Sequence, residues 1–170
     1  VVQRFRSVNF FSAAIYFKED ALARPEQIEL WMGQGARARM RVGTQVVFAE
    51  GGKVVKAFDV KTRREVEADH RAAQLLEMLG STSEFSLETI IRSVSGGKLV
   101  DATPRVNANA AISQDKELVK IESERTQEWL RIWALRESRL PVRVLVWDPR
   151  DGECVDCVFT YSKDQPEAFF

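Results

Sequence analysis

The sequence predicts an α+β domain in which a large curved antiparallel sheet is covered on its concave face by short helices. Three observations predict it. The dominant hydrophobic period is two, the mark of half-buried strands. Two stretches in the middle of the chain switch to the spacing of amphipathic helices. Turn signals rich in Gly and Asp join the strand runs into hairpins.

Phe5 to Lys18 reads as a long strand, its start overlapping the end of a helix in Val1 to Ser7. Ile28, Leu30 and Met32 then alternate with Gln27, Glu29 and Trp31. In the next run Ala36, Ala38, Met40 and Val42 alternate with Arg37, Arg39 and Arg41, which puts apolar groups on one face and guanidinium groups on the other. Val46-Val47-Phe48 and the run from Val54 to Phe58 flank Glu50-Gly51-Gly52-Lys53, a hairpin turn. Asp59 to Arg64 makes a polar turn into Glu65-Val66-Glu67.

From Arg71 to Leu79, the residues Ala72, Leu75, Leu76 and Leu79 fall on one helical face, closed by Gly80. A second helical segment follows Ser86, with Leu87, Ile90, Ile91 and Val94, and stops at Gly96-Gly97. After Pro104 the period returns to two. Leu118 to Ser123 is a strand, and so is Glu128 to Arg136, with Trp129, Arg131, Trp133 and Leu135 on one face and Leu130, Ile132 and Ala134 on the other. Val142 to Trp147 and Cys154 to Tyr161 flank Asp148-Pro149-Arg150-Asp151-Gly152, a strong turn signal. Lys163 to Phe170 forms one short helical turn. With no internal repeat or linker, roughly eight to eleven strands and two helices make a single domain over residues 1–170.

Composition limits the chemistry. Lys plus Arg number 25 and Asp plus Glu number 25, so the formal net charge is zero. That balance argues against a nucleic-acid binder with a basic surface and against a polybasic membrane patch. No run approaches the roughly 18 apolar residues of a spanning helix. One His and two Cys leave few ways to build a metal site, so no metal or cofactor is expected. The chain begins at Val1 and closes on Phe169-Phe170, two aromatic residues that would be exposed unless they dock on the domain; this suggests a fragment of a longer protein.

Cys154 and Cys157 make a C-x-x-C set among Val155, Val158 and Phe159, which reads as a strand. Three strand residues separate the Cα atoms by about 10 Å, beyond the roughly 7 Å that a disulfide spans, and odd spacing sends the thiols to opposite faces. His70 sits at the expected start of the first helix, an exposed polar position. Asp59, Glu65, Glu67 and Asp69 read as solvated carboxylates at strand edges rather than as a general acid and base, so no catalytic residue is expected. For Arg37, Arg39 and Arg41, cross-strand ion pairing with Glu26, Glu29, Glu65 or Glu67 is the expected role. Nearly all the large aromatics fall on the expected strands. Large apolar groups on both faces of the first strand and of Trp129–Leu135 suit a sheet that encloses a ligand cavity.

The order of these pieces resembles the periplasmic lipoprotein carrier (LolA-like) superfamily, which also takes in the amino-terminal domain of the RseB-type regulators of the envelope-stress sigma factor. The resemblance rests on Ile28-Glu-Leu-Trp-Met32, on Ala38-Arg-Met-Arg-Val42, and on the hairpin with Gly52-Lys53 and Phe58-Asp59. Its strongest part is Ile132-Trp-Ala-Leu-Arg-Glu-Ser-Arg-Leu-Pro-Val142, followed by Arg143 to Asp148 and by Gly152. Leu140-Pro141 fixes an extended entry into the following strand.

The resemblance implies an incomplete β-barrel with a hydrophobic cavity that takes acyl chains or a lipidated partner in the cell envelope. It also implies an arginine near the cavity mouth that holds a lid closed, in the region of Arg37, Arg39 and Arg41. The residues expected to line the cavity are Phe11, Ile15, Leu30, Met40, Phe58, Trp133 and Val144. The expected activity is non-enzymatic lipid or lipoprotein binding in the periplasm or another extracytoplasmic space, anchored to a membrane if an upstream segment exists. The alternative is a periplasmic sensor domain of an anti-sigma or envelope-stress regulator, which binds an inner-membrane or regulatory protein.

Overall fold

The computed structural model describes residues 8, 10–81, 99–101, 118–123, 129–148, 150, 152–161 and 165–170. Eleven strands are present among them: β1 (Phe11–Lys18), β2 (Glu26–Met32), β3 (Arg37–Val42), β4 (Gln45–Glu50), β5 (Lys53–Asp59), β6 (Arg64–Glu65), β7 (Leu99–Asp101), β8 (Leu118–Ser123), β9 (Trp129–Leu135), β10 (Pro141–Trp147) and β11 (Cys154–Tyr161). The helix α1 (His70–Ser81) lies between β6 and β7, and Glu167–Phe169 forms a 3-10 turn at the end. The strands hydrogen-bond in the order β6-β5-β4-β3-β2-β1-β11-β10-β9-β8-β7. This order has two ends, so the sheet is open. The class is the expected one, α+β with a large unclosed antiparallel sheet and a helix packed on it.

By its contacts the chain divides into two compact units. The first holds described residues 8, 10–15, 27–81, 159–161 and 165–170; the second holds 16–26, 99–101, 118–123, 129–148, 150 and 152–158. In the first unit, β2 to β5 form an antiparallel meander. Leu30 lies opposite Met40, Met40 opposite Val47, and Val47 opposite Ala57. Residues directly opposite share a face, so these four form one apolar stripe. The helix packs on β3, β4 and β5.

Asp69 starts that helix. Its Oδ1 accepts the N–H groups of Arg71 at 3.0 Å and Ala72 at 3.1 Å, satisfying donors that have no partner within the first turn. The Asp69 N–H in turn donates to Gln45 Oε1 at 2.9 Å, which ties the start of α1 to β4. Gln45 shares its face with Val47, and that places α1 over the apolar stripe.

In the second unit Ile132 lies opposite Val144, and Val144 opposite Cys157. These groups, with Leu130 and Ala134, form a buried face. The opposite face carries Arg143, whose Nε and Nη2 donate to the two carboxylate oxygens of Asp156 at 2.8 and 2.6 Å. The turn after β10 is built on Asp148. Its carboxylate accepts from the N–H of Arg150 at 2.9 Å and from the Arg150 guanidinium, and these contacts hold its pKa down at about 2. Gly152 closes the turn at φ 82°, where a Cβ would meet the backbone N of Ala21 at 2.8 Å, so both conformation and space require glycine.

The sequence reading differs from this structure in several places. Strand β1 starts at Phe11, with Phe10 outside it, and α1 continues through Gly80 to Ser81; residues 5–7 of the expected first strand lie outside the described residues. Strand β7 is only three residues long, too short for a periodic signal. The helix expected after Ser86 and the one expected in Val1 to Ser7 lie outside the described residues.

Candidate functional site

The apolar face of the first unit is a place where a sheet and a helix enclose apolar side chains. From the sheet come Ile28, Leu30, Ala38, Met40, Val47, Ala49 and Ala57, all buried. Met40 and Val47 are 0% exposed. From α1, Ala72 and Leu76 are buried, the latter 1% exposed. Gln45 lies at the rim of this face, its side-chain amide already engaged by Asp69. A surface of this kind can hold hydrocarbon and little else, because any polar group placed against it loses water without gaining a partner.

Of the expected lining residues, Leu30 and Met40 meet on this face, opposite each other across β2 and β3. Phe58 does not. It pairs with Val46, next to the Arg41 register, and its ring lies 6.4 Å from that of Phe48 on the face turned away from α1. Phe11 is buried with its ring 6.0 Å from Phe159, and Ile15 is half-buried. In the second unit Val144 lies on the buried face, 2% exposed, whereas Trp133 lies on the opposite face under the Arg143 guanidinium at 5.2 Å. Phe58 and Trp133 are large and apolar, but strand parity puts Phe58 on the face opposite to Met40 and Val47, and Trp133 on the face opposite to Ile132 and Val144.

The three arginines of β3 lie on the strand face opposite that of Ala38 and Met40. Their roles differ. Arg41 pairs with Glu29 at 3.6 Å across the strands, as expected, and both groups are solvated enough for the pair to contribute little. Arg39 is enclosed by aromatic rings: its guanidinium carbon lies 4.7 Å from the Phe169 centroid, 5.4 Å from Trp31 and 5.7 Å from Phe48. Arg37 lies 5.2 Å from the ring of Phe170 and donates its Nε to the carbonyl of Gln34 at 3.0 Å.

The two terminal phenylalanines are therefore docked. Phe169 meets Trp31 edge-on at 5.9 Å, and Phe170 meets the buried Phe10 at 6.1 Å. Phe170 also sits so close to Gly33 that a Cβ there would fall 2.6 Å from its ring. An alternating Arg-x-Arg-x-Arg run signals a face. It does not signal that aromatic rings from residues over a hundred positions away will cover it.

The carboxylates singled out in the sequence have structural work in a turn and a cap. Asp59 Oδ1 accepts the N–H groups of Lys61 at 2.9 Å and Thr62 at 2.7 Å, and its Oδ2 accepts the Thr44 hydroxyl at 2.7 Å. These hydrogen bonds, led by that from Thr62, hold its pKa below the usual carboxylate value. Asp69 caps α1, the role that a carboxylate just before a helical run signals in sequence. Glu65, Glu67 and His70 are exposed. Cys154 and Cys157 are both free thiols on β11. Burial pushes the Cys157 thiol up to about 12, so it stays protonated and unreactive at neutral pH. Among the described residues no three His, Cys, Asp or Glu side chains come together as a metal site would require.

No family model matches the chain, and no curated protein matches it in sequence. Its likeness is to solved structures. Over 99% of this chain and 58% of the other, it is similar to MucB at a TM-score of 0.51 and 11% identity. An uncharacterized conserved protein from Thermus thermophilus is similar at a TM-score of 0.49 and 11% identity, over 98% of this chain and 88% of that one. A LolA superfamily protein from Nitrosomonas europaea is similar at 0.43 and 12%, over 99% and 94%. At such identity the likeness to MucB is one of fold alone. The chain spans 58% of the MucB chain that it matches.

Proposed function

We propose that this chain is a non-enzymatic binding domain of the cell envelope that takes the acyl chain of a lipid or lipoprotein against the apolar face beneath α1. The observation that carries the reading is the aliphatic stripe that α1 covers. Among the described side chains of α1, only Ala72 and Leu76 are buried, over a stripe that presents Leu30, Met40, Val47 and Ala57. Burying one Leu and one Ala side chain contributes about 3 kcal/mol, whereas burying an acyl chain contributes about 0.8 kcal/mol per methylene, so a chain of about ten carbons outweighs the cover. The Asp69–Gln45 hydrogen bond leaves the start of α1 attached while the rest of the helix swings away. Of the expected lining residues, Leu30 and Met40 belong to this face.

The test is a series of saturated fatty acids of increasing length, titrated into the protein calorimetrically. Affinity should rise about fourfold per methylene, the ratio that corresponds to about 0.8 kcal/mol. A flat series, or no binding at all, contradicts the reading.

A second reading has its own support. MucB, whose fold this chain shares, has also been solved in complex with MucA(peri). By that analogy the chain is a periplasmic sensor domain that binds a regulatory protein of the envelope. A pull-down of an inner-membrane regulator, combined with a negative acyl titration, favours it over the carrier.

A further inference from the structure

The outer edge of β5 is only partly paired among the described residues. This strand pairs with β4 from Lys53 opposite Glu50 to Asp59 opposite Gln45. On its other side β6 pairs only Phe58 and Asp59, and the Val66 N–H adds one bond to the Ala57 carbonyl at 3.0 Å. Among the described residues, Lys53 to Lys56 therefore has no strand partner on that side. All four residues are exposed, with Val54 at 37% and Val55 at 59%. The register shift opposite Phe48 and Ala49 leaves Val55 without a partner on β4, and a bulge of this kind turns a side chain outward. An unpaired edge offers a row of N–H and C=O groups to any extended chain that can lie along it.

The surrounding charge selects what that chain can be. Lys53 and Lys56 lie on the open stretch, and Lys61, Arg63 and Arg64 follow on the turn and on β6, all of them exposed. Of the nearby carboxylates, Glu50 faces Lys53, Asp59 is committed to its turn, and Glu65 and the exposed Glu67 lie on and just after β6, four against five basic groups. In a chain with zero net charge this is a local excess of positive charge. Lys56 is held in place over the Phe48 ring at 4.9 Å. A second copy of the same edge would bring lysine against lysine, which is unfavourable across strands.

We propose that the Lys53–Lys56 edge of β5 is a strand-addition site for an extended, acidic segment of a partner protein, with Val54 and Val55 contacting the apolar side chains between its carboxylates. The proposal goes beyond acyl binding and does not depend on it, because the edge and the face beneath α1 use different residues.

The test uses two short synthetic peptides, one alternating Glu and Val and one alternating Lys and Val, each titrated into the full chain and followed by hydrogen exchange. The Glu-Val peptide should bind, protect the amides of residues 53–56, and weaken about tenfold as salt rises from about 50 to about 300 mM. Lys53→Glu/Lys56→Glu should lower its affinity at least about tenfold, and Lys53→Gln/Lys56→Gln should fall between the two. Equal binding of the Lys-Val peptide, protection located elsewhere, unchanged affinity in the charge-reversed variant, or pairing of two copies through this edge would each overturn the proposal.

Discussion

If α1 is a displaceable cover, weakening its grip should tighten acyl binding while it lowers stability. Leu76→Ala is the perturbation that separates these effects. Leu76 is 1% exposed and belongs to the helix alone, so its truncation leaves the sheet face of Leu30, Met40 and Val47 unaltered. Removing three buried carbons loses about 2 kcal/mol of transfer free energy, and the residual cavity adds to this according to how far the helix settles.

For a cover of Ala72 and Leu76 alone, worth about 3 kcal/mol, the open state would be populated at roughly half a per cent and the observed affinity reduced by that fraction. Lowering the cover to about 1 kcal/mol raises the open population to between about 10 and 20%, which is about thirtyfold in apparent affinity. Urea denaturation should show a loss of about 2–3 kcal/mol, and calorimetric titration with a long-chain fatty acid should show about thirtyfold tighter binding. Affinity that falls together with stability, or does not change, refutes the reasoning, because the ligand would then bind to the closed helix or somewhere else.

Further expected outcomes concern other parts of the molecule. Phe169→Ala should destabilise the protein by about 2 kcal/mol in urea denaturation, because it removes the ring contacts with Trp31 and Phe170 and the cation–π contact with Arg39. Gly33→Ala should unseat the Phe170 ring and change the fluorescence of Trp31. The Asp148 pKa is depressed to about 2, so its contribution to stability is complete above the unfolded value of about 3.9 and is lost as pH falls through about 2. Its carboxyl carbon resonance should titrate near that pH, and Arg150→Ala should move the midpoint upward. Iodoacetamide at neutral pH should label the half-buried Cys154 well before Cys157, whose thiol is buried and raised to about 12; equal rates would contradict the placement of β11.

Local pattern carried much of the fold. Strands β8 and β11 run from Leu118 to Ser123 and from Cys154 to Tyr161 as their alternation and flanking turns indicate. The separation of Leu130, Ile132 and Ala134 from Arg131, Trp133 and Leu135 also holds, because a period of two is fixed by backbone geometry. What the pattern did not carry is which of two apolar faces is buried. Trp133 and Phe58 are the larger side chains and are half-buried, yet Met40, Val47, Ile132 and Val144 on the opposite faces are the ones almost wholly excluded from water. That choice is made by residues distant in sequence.

The same limit explains Arg39. Its alternation with Ala38 and Met40 is read correctly as a second face, but Trp31, Phe48 and Phe169 that enclose it come from two other strands and from the far end of the chain. Asp69 is the opposite case, a helix cap written in local sequence directly before the apolar run of α1.

The most direct test of acyl binding beneath α1 is hydrogen exchange on the full chain, with and without a saturated long-chain fatty acid. Bound ligand should leave the amides of β3 and β4 around Met40 and Val47 at least as protected as before, while those of α1 around Leu76 lose protection as the helix is displaced. Unchanged exchange along α1 at saturating ligand would contradict the account.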